Sequence, residues 1–168
     1  FFKKTYPTGI RPQAKDIVRT WLYYTLLRCE KLTGQKPWSE AWIMGYGLDE
    51  KGMKMSKSKG NALDPLPVIQ KSGADTFRFW SASEINHGYD FRCSEQKIES
   101  TKKFLSKLWN VSRFLSSFPL IDSANLTDTD KWILAELDKL VSECNDGYAK
   151  YNFFVPALAI REFTWNIF

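Results

Sequence analysis

The residues best suited to chemistry lie in one stretch, Lys54-Met55-Ser56-Lys57-Ser58-Lys59-Gly60-Asn61. Two ammonium groups three positions apart, Lys54 and Lys57, flank small hydroxyl side chains, and Gly60 lets the backbone come close to a ligand. Ammonium groups act as mobile point charges on phosphate oxygens, whereas hydroxyls and amides fix orientation. The stretch has what a polyphosphate needs. It is not a Walker loop, because no G-x-x-x-x-G-K-[ST] is present. Composition alone would favour a solvated lysine loop.

Three further groups are candidates. Asp16 stands where a helix begins, so its carboxylate can cap that helix or accept hydrogen bonds from ligand hydroxyls. Ile17 and Trp21 are four apart, which puts them on one helix face as core or as an apolar wall. Lys97, Lys102, Lys103, Lys107 and Arg113 fall on one long helix, where Glu99 is the only acid between 97 and 113. That is either a solvated face or a surface for a polyanion. The next helix is acidic, so the net charge of +5 is local in origin.

The elements that must position these groups follow from periodicity. Pro7 to Pro12, with Gly9, predicts a loop. Ala14 to Leu32 predicts a helix with Ile17, Trp21, Tyr24 and Arg28 on one face, stopped at Thr33-Gly34. Ala41 to Leu48 is short, apolar and glycine-interrupted, which predicts a buried strand; Asp49 to Gly52 predicts a turn. Asp64-Pro65 opens a short helix that Gly73 ends, and Ala74 to Ile85 forms a second, in which Asp75 and Arg78 could pair. A turn and short strand follow over Asn86 to Arg92, with His87 as a turn residue. Ser94 to about Ser117 predicts a long helix with the stripe Phe104, Leu108, Val111, Leu115 and Phe118. Residues 120–126 predict a linker, and Thr127 to Asp130 a capping box. The helix it opens carries Ile133, Leu137, Leu140, Cys144 and Tyr148 on one face and is expected to break between Asp146-Gly147 and Asn152; a final helix follows, with Pro156 in its first turn. The fold class is α/β and mainly helical.

Of 168 residues 43% are apolar and 15% aromatic, enough for a packed core. Cys29, Cys93 and Cys144 are far apart and form no C-x-x-C pair, so neither a disulfide framework nor a metal site is expected, and a reducing, cytoplasmic setting is the default. No apolar run approaches the roughly 18–20 residues of a membrane span. Phe1-Phe2-Lys3-Lys4 carries no signal-peptide pattern and no Met, and the chain stops inside the apolar run Phe163, Trp165, Ile167, Phe168. Both ends are therefore expected to be cuts through a longer protein.

Lys54 to Ser58 matches the KMSKS signature of class I aminoacyl-tRNA synthetases at every position. Gly45 to Asp49 before it, and Gly60-Asn61 with Asp64-Pro65 after it, resemble the large valyl, isoleucyl and leucyl members. The resemblance implies three units: the C-terminal half of a Rossmann-type catalytic domain (1–61), a stem-contact junction (62–122) and the truncated start of an anticodon-binding helical bundle (123–168). It implies ATP, with magnesium, as the energy source. It assigns Lys54 and Lys57 to the β- and γ-phosphates and places Met55, Ser56 and Ser58 in the ATP loop, Met55 packing beneath it.

Ala14-Lys15-Asp16 is similar to a G-x-D-like turn of the family, which implies that Asp16 contacts ATP. Ala14 replaces the usual glycine and Lys15 a common histidine. The pattern from Arg11-Pro12-Gln13 to Arg19-Thr20-Trp21 looks most like the valine-charging branch. It implies an amino-acid pocket wall of Ile17 and Trp21 for valine, tRNA(Val) as partner, and Lys97, Lys102, Lys103, Lys107 and Arg113 as tRNA contacts. Alternatives are an isoleucine or leucine ligase and a stand-alone tRNA-binding module. Asn86-His87-Gly88-Tyr89 is not the family's H-x-G-H motif. The resemblance therefore implies ligase activity in a longer protein whose N-terminal half holds that motif, with an editing domain upstream and an inactive isolated segment.

Overall fold

The computed structural model describes residues 2–119 and 125–168. Most of the predicted 120–126 linker, and the boundary expected near 122, lie outside the described residues. A short helix, α1 (Phe2–Thr5), leads into strand β1 (Thr8–Ala14). The expected loop over Pro7 to Pro12 is thus mostly strand. β1 pairs in parallel with β2 (Trp38–Met44), from Thr8↔Trp38 to Ala14↔Met44. Each strand of a two-stranded sheet has one unpaired side, and such edges tolerate a proline's missing N–H, as at Pro12.

The helix expected from Ala14 is present but irregular at its start. A tight turn at Lys15–Ile17 passes into one wide π turn at Val18–Leu22, and regular α2 spans Tyr23–Thr33. Gly34 ends it, its N–H donating to the Glu30 carbonyl at 2.8 Å. This crossover between two parallel strands is a βαβ unit.

The strand expected over 41–48 is two strands, and half-exposed rather than buried. β2 stops at Met44, and β3 (Gly47–Leu48) joins a second sheet in parallel with β4 (Phe91–Arg92). Gly45 lies between them, where a Cβ would fall 2.0 Å from the Tyr89 carbonyl oxygen, so this crossing admits only glycine.

Below β3 lies a core of Trp80, Cys93 and Ile98, surrounded by Met55, Leu63, Val68, Phe77 and Phe91. It is built by α3 (Pro65–Ser72), capped by Asp64 accepting from the Leu66 N–H at 3.0 Å, by α4 (Ala74–Glu84) and by the first turns of α5 (Glu95–Leu115). The predicted α5 stripe is buried only at its start: Phe104 is enclosed, whereas Leu115 and Phe118 are exposed. The ion pairs among the described residues do not include Asp75 with Arg78.

The capping box at Thr127 and Asp130 opens α6 (Asp128–Ala149), which packs against α7 (Phe154–Glu162) and its continuing π turn at Phe163–Ile167. The expected break falls within its range, after Ala149. Gly147 stays helical with Pro156 close against it, and the chain turns at Lys150 to Phe153, where Tyr151 adopts φ 54°. Among the described residues no helix is long and apolar enough to cross a membrane.

Candidate active site

The lysine–serine loop leaves β3 and is pinned at both ends. At its base the Met55 N–H donates to the Gly47 carbonyl at 2.9 Å, and the Met55 side chain reaches the Trp80 core. Asp49 accepts from the backbone N–H groups of Lys51 (3.0 Å) and Met53 (2.8 Å) and from Asn61 Nδ2 (2.8 Å). Asn61 in turn accepts the Ser56 N–H at 3.0 Å. One amide side chain thus ties the end of the loop to its start. The Asn61 hydrogen bond, ahead of the backbone donors, holds the Asp49 carboxyl below its ordinary value.

Between these anchors the loop faces outward. The Ser56 and Ser58 hydroxyls are 3.3 Å apart. Lys57 to Lys59 form one tight turn closed by Gly60, which adopts φ 67°. Lys57 is exposed and makes no ion pair among the described residues.

Lys54 is directed differently. Its Nζ lies 2.8 Å from Asp16 Oδ2 and 4.0 Å from the centroid of the Tyr46 ring. Thirty-eight positions separate Lys54 and Asp16, and the βαβ crossover brings them together. The hydrogen bond to Lys54 lowers the Asp16 pKa, and the same contact raises that of Lys54. The pair is therefore fully charged at neutral pH. Beside it, Lys15 Nζ lies 2.5 Å from Asp90 Oδ1 and 4.3 Å from the Tyr46 centroid, and Asp90 also accepts the Tyr46 N–H at 2.7 Å. Lys15, ahead of that N–H, holds Asp90 below its usual range.

Ile17 and Trp21 follow Asp16 and are 41% and 54% exposed, so neither is an enclosed core residue. The Arg11 guanidinium stacks between Trp21 (5.7 Å) and Trp38 (5.9 Å), its Nε buried without a hydrogen-bond partner. Of the basic residues on α5, Lys102, Lys103 and Lys107 line one groove of about 630 Å³, and Lys107 Nζ sits 3.9 Å over Trp165. Lys97 turns away to Glu84 at 2.5 Å, and neither it nor Arg113 borders that groove. His87 is more than a turn residue. Its Nε2 lies 2.9 Å from the Tyr151 carbonyl oxygen and its ring packs edge-on to Trp42, joining β2 to the α6–α7 corner.

Sequence reasoning did not single out Tyr46, Asp90, Arg11 or the Asp49–Asn61 staple. The last had a signal, a carboxylate and an amide bracketing the loop; Tyr46 and Asp90 had none, since their roles depend on contacts across two sheets.

A βαβ unit followed by a pinned KMSKS loop on a small α/β core is the arrangement of a class I synthetase segment, and the chain belongs to the tRNA synthetases class I (I, L, M and V), which residues 1–94 match. Residues 130–168 match the anticodon-binding domain of tRNA ligase. Among relatives, the valine–tRNA ligase of Aeropyrum pernix is 43% identical over 100% of this chain and 21% of its own length, and that of Pyrobaculum aerophilum is 44% identical over 99% and 21%. The chain spans about a fifth of the length of these curated relatives. In fold it is similar to the Agrobacterium radiobacter K84 agnB2 LeuRS in its tRNA-LeuAMS ternary complex, with TM-score 0.78 and 20% identity over 96% of this chain and 22% of that one. Mycobacterium tuberculosis methionyl-tRNA synthetase bound by methionyl-adenylate gives TM-score 0.73 and 22% identity, covering 95% and 33%.

Proposed function

We propose that this chain is the segment of a valine–tRNA ligase that holds the pyrophosphate end of ATP and leads into the tRNA-binding helices. The observation that carries the reading is the meeting of Lys54 with Asp16 beside an exposed Lys57 on a stapled loop. In this reaction the valine carboxylate attacks the α-phosphorus, the bond to the β-phosphate oxygen breaks, and valyl-adenylate and pyrophosphate result. The nucleophile is already ionised, so the enzyme contributes mainly position and charge stabilisation. Lys54 and Lys57 stabilise charge building on the departing pyrophosphate. Ser56, Ser58 and Met55 shape the loop, and Asp16 faces the nucleotide. Magnesium would enter with ATP.

Ile17 and Trp21 form one wall of the valine site, and Lys102, Lys103 and Lys107 face the backbone of tRNA(Val). Residues 1–61, 62–122 and 123–168 serve as catalytic half-domain, stem-contact junction and first anticodon-bundle helices of a cytoplasmic enzyme. The rest of the ATP site, with the H-x-G-H motif, is supplied by the remainder of the ligase.

The test is amino-acid-dependent ATP–pyrophosphate exchange by the full-length protein. Valine is expected to support exchange, and Lys54→Ala or Lys57→Ala to lower it about a hundredfold to a thousandfold. Exchange driven by isoleucine or leucine instead would identify a sister ligase. Unchanged turnover in the double lysine variant would remove the assignment. The isolated 168-residue chain is expected to show none.

A further inference from the structure

Tyr46 stands at the centre of four charged side chains. Lys15 and Lys54 both place Nζ over its ring, at 4.3 and 4.0 Å from the centroid, and each has its own carboxylate, Asp90 and Asp16. The backbone that carries the ring is tightly placed. Its backbone N–H donates to Asp90 at 2.7 Å, and Gly45 before it lies against the Tyr89 carbonyl with no room for a side chain. Lys54, by contrast, extends from the loop and is half exposed.

The two partners of Lys54 differ in kind. The Asp16 carboxylate occupies an N–H of the ammonium with a strong hydrogen bond and competes directly with a phosphate oxygen. The ring face attracts the positive charge through its quadrupole and offers no strong acceptor, so all three donors stay available. A triphosphate arriving at the site can displace the carboxylate while the ring still holds the ammonium in place.

We propose that Tyr46 is a positioning residue for Lys54: its ring keeps the ammonium at the phosphate site while Lys54 exchanges the Asp16 carboxylate for a phosphate oxygen. The exchange is purely non-covalent. One N–H···O bond to Asp16 is replaced by one to phosphate, Lys54 keeps its proton, and the freed carboxylate becomes available to hydroxyl donors on the nucleotide. The inference rests on the reading of Lys54 as a phosphate contact.

A double-mutant cycle in the full-length protein, read by valine-dependent ATP–pyrophosphate exchange, tests it. Tyr46→Phe keeps the ring and is expected to stay within about twofold of wild type, whereas Tyr46→Leu is expected to lose about threefold to thirtyfold in kcat, the range of one cation–π contact. KM for valine is expected to stay constant. In a Lys54→Ala background Tyr46→Leu is expected to add less than about twofold, because the group it positions is gone. Equal losses in both backgrounds, or none in either, would overturn the role of Tyr46. A Lys54→Ala variant with full activity would overturn the phosphate reading of the loop instead. Should Tyr46→Leu not fold, phenylalanines carrying one, two and three ring fluorines at position 46 preserve shape while draining charge from the face. Activity falling stepwise supports the proposal, and a flat series overturns it.

Discussion

At the scale of single residues, the loop is held by charge and hydrogen bonds that sequence spacing only partly announces. Asn61 serves as donor to Asp49 and acceptor from Ser56, so Asn61→Ala releases both ends of the loop at once. The expected result in the full-length protein is a loss of roughly tenfold to a hundredfold in exchange rate, the usual consequence of misplacing a catalytic group by about an ångström. Asn61→Asp would set a carboxylate against Asp49 and is expected to be at least as harmful. Acid acts on the same contacts. The carboxyl pKa values of Asp16, Asp49 and Asp90 are lowered from 3.8. Their contribution to stability is therefore present at neutral pH and fades as pH falls below 3.8 through the depressed values. Cys93 has the opposite sign: burial raises its thiol from 9.0 to about 11. The unfolded chain releases this proton first, so stability falls with pH between 9.0 and about 11, a slope that Cys93→Ala is expected to remove from a pH series of urea midpoints. The same burial makes Cys93 slow to react with iodoacetamide at about pH 8, with Cys29 reacting before it and unfolding abolishing the difference.

At the scale of elements, two close contacts decide where a helix starts and how helices pack. The Thr127 hydroxyl accepts the Asp130 N–H while the Asp130 carboxylate accepts the Thr127 N–H at 2.8 Å, so the start of α6 is satisfied from within its own first turn. Thr127→Ala is expected to destabilise the α6–α7 pair by about 0.5–2 kcal/mol, read as a lower urea midpoint. Gly147 is more demanding, because an added Cβ would sit 2.5 Å from Pro156 Cγ and 3.0 Å from the Asn152 carbonyl oxygen. Gly147→Ala is expected to cost about 1–3 kcal/mol by overpacking, although alanine is the better helix former. Recovery of stability in Gly147→Ala with Pro156→Ala would trace the destabilisation to that contact. The His87–Tyr151 bond connects the same corner to β2 and, through Met44 and Gly45, to the ring beside Lys54.

At the scale of the whole molecule, charge is separated along the chain. The groove on α5 gathers Lys102, Lys103 and Lys107, while α6 opens with Asp128 and Asp130. If the groove meets tRNA backbone, replacing its three lysines with alanine in the full-length protein reduces the slope of log K against log[salt] by about 0.7–0.9 for each phosphate that is no longer neutralised. Lys97→Ala is expected to change that slope less, because Glu84 already neutralises Lys97. An unchanged slope in the triple variant would place the tRNA elsewhere.

By itself the sequence determined what depends on local chemistry and near neighbours. The KMSKS loop, the Asp64 and Thr127 caps, the stop at Gly34 and the long α5 all follow from residues within a turn or two of one another. Tertiary structure decided everything that requires distant segments to meet. Pro12 belongs to a strand because β2 offers a parallel partner, and residues 41–48 divide because Gly45 must pass the Tyr89 carbonyl. The pairing of Lys54 with Asp16, and of both Lys15 and Lys54 with one aromatic ring, exists only once the crossover has folded. Hydrophobic period and turn chemistry act over a few residues, whereas ion pairs and ring contacts are short-range in space and indifferent to separation along the chain.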